Sequence, residues 1–210
     1  MIKPIGYYNY SVIATYASLA AASAGIYFAC VSGTSWAVLC LMASGLLDMV
    51  DGRIAGRCRR SRDEKRFGIQ IDSLCDLVAF GVLPVCIMLN GTQGVFPALC
   101  SSFYILCALV RLAYFNVDEE KRQDALAERR QYYSGMPVTS AALAVPLVYS
   151  LMPLLGDAYG PVFMAMLTLL GAAFITNIKV PKPGLRGSVL LLVLGIAETA
   201  AVIISGLHRF

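Results

Sequence analysis

The chain has 210 residues, of which 58% are hydrophobic and only 14% are charged, with a formal net charge of +4. This composition excludes an ordinary soluble globule, because soluble domains carry about 25% charged residues. The length fits one membrane domain over residues 1–210. The seven cysteines form no Cys-x-x-Cys pair, which argues against a zinc knuckle or a disulfide framework. No nucleic-acid partner is expected.

Seven apolar segments are long enough to cross a bilayer, which takes about 20 residues for each helix. They predict an all-α, polytopic transmembrane helical bundle of six to eight helices, seven by our count. The predicted spans cover residues 11–32, 35–56, 68–90, 94–116, 137–155, 159–178 and 187–207. The first span is too long for the core of a cleaved signal peptide, so we interpret it as an uncleaved span.

The basic residues are distributed unevenly between the connections. All of the 17 lysines and arginines except Arg209 lie at the N-terminus, in the loops after spans 2, 4 and 6, or, for Arg53 and Arg111, near the ends of spans 2 and 4 that lead into those loops. By the positive-inside rule, this distribution places the N-terminus and those loops at the cytoplasmic face of the cell or inner membrane. The charged segment 118–134, which follows span 4, is expected to be a short surface helix or a solvated loop.

Four aspartates lie near the ends of spans 2 and 3 that flank the most basic loop: Asp48, Asp51, Asp72 and Asp76. An ionisable group near the membrane indicates a functional site, since an Asp costs roughly 2.5–3.5 kcal/mol at a helix centre. If spans 2 and 3 are antiparallel neighbours, the four carboxylates can converge. Such oxygen ligands suit Mg²⁺ or Mn²⁺, and two ions about 4 Å apart can clamp a phosphoryl group. The alternative is that the aspartates pair with the loop arginines.

Small residues share the helix faces that carry the aspartates. At 100° per residue, Gly52 and Ala55 lie on the face of Asp48, and Gly68 lies one turn before Asp72. Because Gly52 and Ala55 carry almost no side chain, they let a flat or bulky ligand lie against the helix.

The order of these residues resembles the signature of a known family. Asp48-x2-Asp51-Gly52-x2-Ala55, followed by Gly68-x3-Asp72-x3-Asp76, is similar to the motif of the CDP-alcohol phosphatidyltransferases. These integral membrane enzymes cut a CDP-linked lipid or alcohol and transfer its phosphoryl-bearing part to a hydroxyl. Three stretches resemble the phosphatidylserine synthase branch: FGIQIDSLCDLVAFGVLP at 67–84, RLAYFNV at 111–117 and YYSGMPVTSAA at 132–142. The first span and the last two carry no such motif.

The resemblance implies a role for each matching residue. The four aspartates would hold two Mg²⁺ or Mn²⁺ ions, and Asp76 would also be the general base that takes the proton of the acceptor hydroxyl. Gly52 and Ala55 would face the cytidine of CDP-diacylglycerol, and Gly68 would belong to the same nucleotide site.

The phosphate and acceptor contacts are expected from arginines. The family has an arginine where this chain has Gly56, and Arg57 or Arg59 would replace it in binding phosphate. Near the cytoplasmic end of span 4, Arg111 and Asn116 are the candidate acceptor site, with Arg111 binding the carboxylate of serine. The alternative is that Arg111 extends to lipid phosphates at the membrane surface.

The resemblance therefore implies transfer of a phosphatidyl group from CDP-diacylglycerol to L-serine, with release of CMP, by a homodimer. Within the same chemistry, the alternative acceptors are glycerol phosphate and inositol phosphate. The alternative from a different class is a divalent-cation transporter, which would need polar positions deep in several spans. Such positions are nearly absent from the sequence.

Overall fold

The computed structural model describes residues 6–7, 12–31, 33–55, 61–124, 132–181 and 185–207. Nine α-helices lie within these ranges: α1 Ile13–Cys30, α2 Thr34–Ala55, α3 Arg62–Asp76, α4 Leu83–Leu89, α5 Val95–Asp124, α6 Ala141–Ser150, α7 Met152–Leu155, α8 Tyr159–Ile175 and α9 Leu185–Leu207. A π-helix, Leu77–Val82, joins α3 to α4 without a break. Two strands, β1 Tyr132–Ser134 and β2 Lys179–Pro181, form one small antiparallel sheet.

Four helical stretches of the described chain are long and apolar enough to cross a membrane: Ile13–Cys30, Arg62–Leu89, Val95–Lys121 and Met152–Ile175. Three shorter apolar helices lie in the remaining predicted spans: Thr34–Val50, Val138–Ser150 and Leu191–Ile204. The predicted all-α membrane bundle is therefore confirmed, and the four long helices indicate a membrane-embedded protein.

Several helix boundaries differ from the prediction; for example, α3 begins at Arg62 and not at residue 68. Helix α5 continues to Asp124 instead of ending at residue 116, so the start of the charged segment extends a membrane helix. Acidic residues at 118–120 precede basic residues at 121–122 by one helical turn, a spacing that favours helix continuation. The predicted span 137–155 is divided, because α6 ends at Ser150 and α7 begins at Met152 with a proline in its first turn.

Helices α1 and α2 lie side by side because small residues line their contact. A Cβ added to Gly25 would lie 2.9 Å from the Cβ of Cys40, so only glycine allows this approach. Ser18 and Ser44 exchange hydrogen bonds, each hydroxyl donating to the carbonyl of the other at 3.2 and 3.0 Å. Close small residues and interhelical serine hydrogen bonds are the contacts that hold helices together inside a membrane.

The sheet connects the loop before α6 to the loop after α8. Tyr132 pairs with Pro181, and Ser134 with Lys179. Gly135 follows β1 with a φ of +85°; its N–H donates to the carbonyl of Ile178 at 2.7 Å. This turn requires glycine, because the φ is unfavourable for other residues and an added Cβ would lie 2.9 Å from the carbonyl oxygen of Phe174.

Candidate active site

Three aspartates from two helices meet at one end of the bundle. Asp48 lies near the end of α2, and Asp72 and Asp76 lie one turn apart on α3. One carboxylate oxygen from each residue lies within 4.8 Å of the other two, and all three residues are half-buried. The side chain of Asp51 lies outside the described part of the chain, so the convergence of all four carboxylates stays a prediction.

The carboxylate cluster fits a divalent cation. Two like unit charges 4 Å apart repel by about 4 kcal/mol at an effective dielectric constant of 20, so a cation among them would offset a considerable cost. The donor set consists of oxygen atoms, which Mg²⁺ and Mn²⁺ prefer. All three oxygen atoms lie within 4.8 Å of one another, and small side-chain rotations would bring them within the ~4.2 Å that separates opposite ligands of Mg²⁺ at bond lengths of ~2.1 Å. The identity of the metal and the number of ions stay predictions.

The start of α3 is fixed by a capping box that follows the basic loop. The hydroxyl of Ser61 accepts a hydrogen bond from the backbone N–H of Glu64 at 3.2 Å, and the carboxylate of Glu64 accepts one from the N–H of Ser61 at 2.8 Å. Asp63 and Glu64 also place negative charge at the positive end of the helix. Helix α3 therefore begins before Gly68 and continues uninterrupted to Asp76.

The backbone winding changes directly after Asp76. The next six residues, Leu77–Val82, form a π-helix, a rare conformation that occurs often at functional sites. The hydroxyl of Tyr104 on α5 donates to the carbonyl of Phe80 at 2.7 Å, and both side chains are fully buried. This hydrogen bond gives a buried carbonyl of the π-helix a donor, and it connects the segment after Asp76 to α5.

A second set of hydrogen bonds connects α3 to α5 beside the aspartates. Ser73 donates through its hydroxyl to Oδ1 of Asn116 at 2.6 Å, and both residues are buried. Asn116 donates through Nδ2 to Oε1 of Gln70 at 3.4 Å, and Gln70 donates to Oε1 of Glu120 at 3.4 Å. Asn116 was predicted to bind the acceptor; Ser73 and Gln70 were not predicted.

Arg111 is buried against the turn that follows β1. It is 7% exposed, and its Nε donates to the carbonyl of Met136 at 3.1 Å, with a longer contact of 3.5 Å from a terminal nitrogen to the carbonyl of Gly135. Its guanidinium carbon lies 5.7 Å from the centre of the Phe115 ring. This burial argues against the alternative in which Arg111 extends to lipid phosphates. Its role in binding the acceptor stays a prediction.

The residues predicted to bind the nucleotide lie on both sides of the basic loop. Gly52 and Ala55 belong to the last turn and a half of α2, and Gly68 is half-buried on α3. Arg57 and Arg59, the two candidates for phosphate binding, lie outside the described residues. The roles of all five stay predictions.

Comparison with known proteins identifies a family and several relatives of this chain. The family model described as CDP-alcohol phosphatidyltransferase matches residues 8–178. The CDP-diacylglycerol--serine O-phosphatidyltransferase of Saccharomyces cerevisiae is 39% identical over 105 residues, which are 49% of this chain and 37% of the relative. The protein of the same name from Helicobacter pylori strain 26695 is 30% identical over 152 residues, 68% of this chain and 59% of the relative.

A protein of the same name from Bacillus subtilis is 28% identical over 149 residues, 69% of this chain and 74% of the relative. The chain therefore spans less than two thirds of the yeast and Helicobacter relatives, and more of the Bacillus one. The matched residues 8–178 include both helices that carry the aspartate cluster.

Proposed function

Since the chain belongs to the CDP-alcohol phosphatidyltransferase family, we propose that it is a phosphatidylserine synthase. It transfers the phosphatidyl group of CDP-diacylglycerol to the hydroxyl of L-serine and releases CMP. The observation that carries this proposal is the convergence of Asp48, Asp72 and Asp76. The names of the similar enzymes support serine as the acceptor.

The aspartate cluster is the proposed site of two divalent cations, Mg²⁺ or Mn²⁺. Asp48, Asp72 and Asp76 are the proposed ligands that lie together, and Asp51 is the proposed fourth ligand. Divalent ions at this site would neutralise the diphosphate of the liponucleotide and stabilise the departing CMP. The oxygen donors and their separation support a divalent cation, and the family resemblance supports a pair of them.

Asp76 is the proposed general base. Its carboxylate accepts the proton of the serine hydroxyl, and the serine oxygen forms a bond to the β-phosphorus, which is the phosphorus bonded to the lipid. The bond between that phosphorus and the oxygen of CMP breaks, and CMP leaves with the electron pair. The position of Asp76 within the cluster supports this role, since a general base must lie within hydrogen-bond reach of the proton it abstracts.

The nucleotide is proposed to lie between the two helices that flank the basic loop. Its cytidine would lie against Gly52 and Ala55, with Gly68 on the facing helix. Arg57 or Arg59 is the proposed phosphate contact in place of the family arginine. Lysines and arginines are concentrated at the N-terminus and around the loops after spans 2, 4 and 6. This distribution supports an active site at the cytoplasmic face.

The carboxylate of serine is proposed to bind Arg111 on α5. Among the residues whose burial is described, Arg111 is the one buried charged side chain, and its contacts with two backbone carbonyls hold the guanidinium in place. A buried arginine is suited to bidentate recognition of a carboxylate. A homodimer is proposed from the family resemblance, and light scattering of the detergent-solubilised protein measures it.

An acceptor assay tests the proposed function. Purified protein with Mn²⁺ and CDP-diacylglycerol is given labelled L-serine, glycerol phosphate or inositol phosphate, and both lipid labelling and CMP release are measured. We expect serine to be incorporated with one CMP released for each lipid formed. Incorporation of glycerol phosphate or inositol phosphate without serine would refute the serine assignment. Flux of Mn²⁺ into sealed vesicles without CDP-lipid would instead favour the transporter.

A further inference from the structure

We propose that Ser73 and Asn116 form a positioning pair, which fixes the rotation of α3 about its axis and so holds Asp72 and Asp76 opposite Asp48. The pair rests on the proposed metal-dependent function and deepens it. Asn116 acts through Ser73 and does not bind the acceptor directly.

Both the oxygen and the nitrogen of the Asn116 amide form hydrogen bonds with side chains of α3. Its oxygen accepts the hydrogen bond from Ser73 at 2.6 Å, and its nitrogen donates to Gln70 at 3.4 Å. Ser73 is 9% exposed and Asn116 is 8% exposed. Because a buried polar group that loses its partner is costly, this contact holds one face of α3 firmly to α5.

The position of Ser73 links this contact to the aspartates. Ser73 directly follows Asp72, so the two side chains lie about 100° apart around α3. One face of the helix is therefore bound to α5, while the adjacent face carries Asp72 and Asp76. Because these two aspartates are one turn apart on the same helix, a rotation of α3 displaces both carboxylates together.

The size of that displacement shows why the rotation matters. Side-chain atoms lie about 5 Å from the axis of an α-helix, so a rotation of about 15° moves a carboxylate oxygen by about 1.3 Å. Functional groups must be held within about 0.5 Å and 10–20° of the productive geometry. A misplacement of about 1 Å can lower the rate about 100-fold.

A double-mutant cycle tests the pair. Ser73→Ala, Asn116→Ala and the double variant are compared for Mn²⁺ binding without substrate, measured by electron paramagnetic resonance, and for kcat and the KM for serine. We expect each single variant to weaken Mn²⁺ binding about 10-fold and to lower kcat by about 10- to 100-fold. The KM for serine should stay within about 2-fold, and the double variant should be no worse than the poorer single variant.

Two further variants control for general damage. Ser73→Thr keeps the hydroxyl and should recover most of the Mn²⁺ binding. Ser102→Ala removes an exposed hydroxyl on α5 that donates to its own helix at the carbonyl of Ala98, and it should match the wild type. Circular dichroism confirms that each variant keeps its helix content.

Three results would overturn the proposal. Asn116→Ala could raise the KM for serine with unchanged Mn²⁺ binding while Ser73→Ala is silent, which would make Asn116 a direct acceptor contact. Unchanged Mn²⁺ binding in every variant would leave the pair a purely structural contact. A wild-type protein that binds no Mn²⁺ would also refute it. Failure of serine incorporation with the expected Mn²⁺ results would refute the proposed acceptor and leave the positioning pair intact.

Discussion

Replacing Gly45 by alanine should force α2 and α6 apart. The added Cβ would lie 2.7 Å from the Cβ of Ala142, whereas non-bonded carbon atoms rest about 3.5–4.0 Å apart. Neither atom belongs to a flexible side chain that could rotate away. The two helices must therefore separate by about 1 Å at this point, and α6 has little room to move because it also contacts α8 and α9.

Gly45→Ala should lower both the free energy of unfolding and kcat. Overpacking of a well-packed interior costs about 1–3 kcal/mol, of which about 0.4–1 kcal/mol is recovered because alanine restricts the unfolded chain. The net loss in the free energy of unfolding should be about 1.3 kcal/mol, the midpoint of a range of about 0–2.6 kcal/mol. Asp48 lies one turn after Gly45 on α2, so a shift of about 1 Å also moves its carboxylate and should lower kcat by up to about 100-fold.

Gly195→Ala is the matched control for this experiment. Gly195 also lies in an apolar helix, and no heavy atom lies within 4 Å of its added Cβ. Thermal unfolding in detergent and CMP release at saturating CDP-diacylglycerol are measured for both variants. Gly195→Ala should be as active as the wild type and more stable by about 0.4–1 kcal/mol, because its added methyl meets no neighbour and restricts the unfolded chain. If Gly45→Ala had the same unfolding temperature and kcat as Gly195→Ala, the argument from close helix contact would be wrong.

Four other changes test the fold and the site. Gly135→Ala should lower the unfolding temperature more than Gly156→Ala does, because both glycines have a positive φ but only the Cβ at 135 meets a backbone carbonyl, at 2.9 Å. Tyr104→Phe removes the donor to the π-helix and should reduce the free energy of unfolding by about 0.6–2 kcal/mol in detergent; an unchanged unfolding curve would contradict a stabilising role. Asp76→Asn should abolish CMP release at an unchanged unfolding temperature, while Asp157→Asn, at an exposed aspartate, should be fully active. EDTA should abolish turnover and Mn²⁺ or Mg²⁺ should restore it; full turnover in chelator would exclude the metal site.

The membrane helices could be predicted because their signal is local. Apolar length and loop charge are properties of consecutive residues, and they located all seven apolar helical segments of the described chain. Hydropathy indicates where the membrane ends, however, and not where a helix ends. For this reason it did not predict that α5 continues to Asp124. The π-helix could not be predicted either, since the hydrogen bond from Tyr104 that supports it comes from another helix.

The aspartate site could be predicted in part, because helical spacing places Asp72 and Asp76 on one face and the sequence places Asp48 just before, and Asp72 just after, the connection between two consecutive helices. Ser73 has no comparable signal. Its partner lies 43 positions away in the sequence, and a serine beside an aspartate has no diagnostic spacing. The first span carries no family motif, yet Ser18 holds it to α2 through hydrogen bonds. In the last span, Glu198 was not singled out, although its buried Oε2 has no hydrogen-bond partner among the described residues.

The π-helix after Asp76 sets the angular relation between two halves of one membrane crossing. A turn closed by i→i+5 hydrogen bonds holds one residue more than a turn of α-helix. If the same residues were wound as a continuous α-helix, α3 would be turned by about 100° relative to α4. Asp72 and Asp76 would then point away from Asp48 while α4 kept its place in the core. The convergence of the three carboxylates thus depends on the π-helical turn after Asp76 as well as on the aspartates themselves.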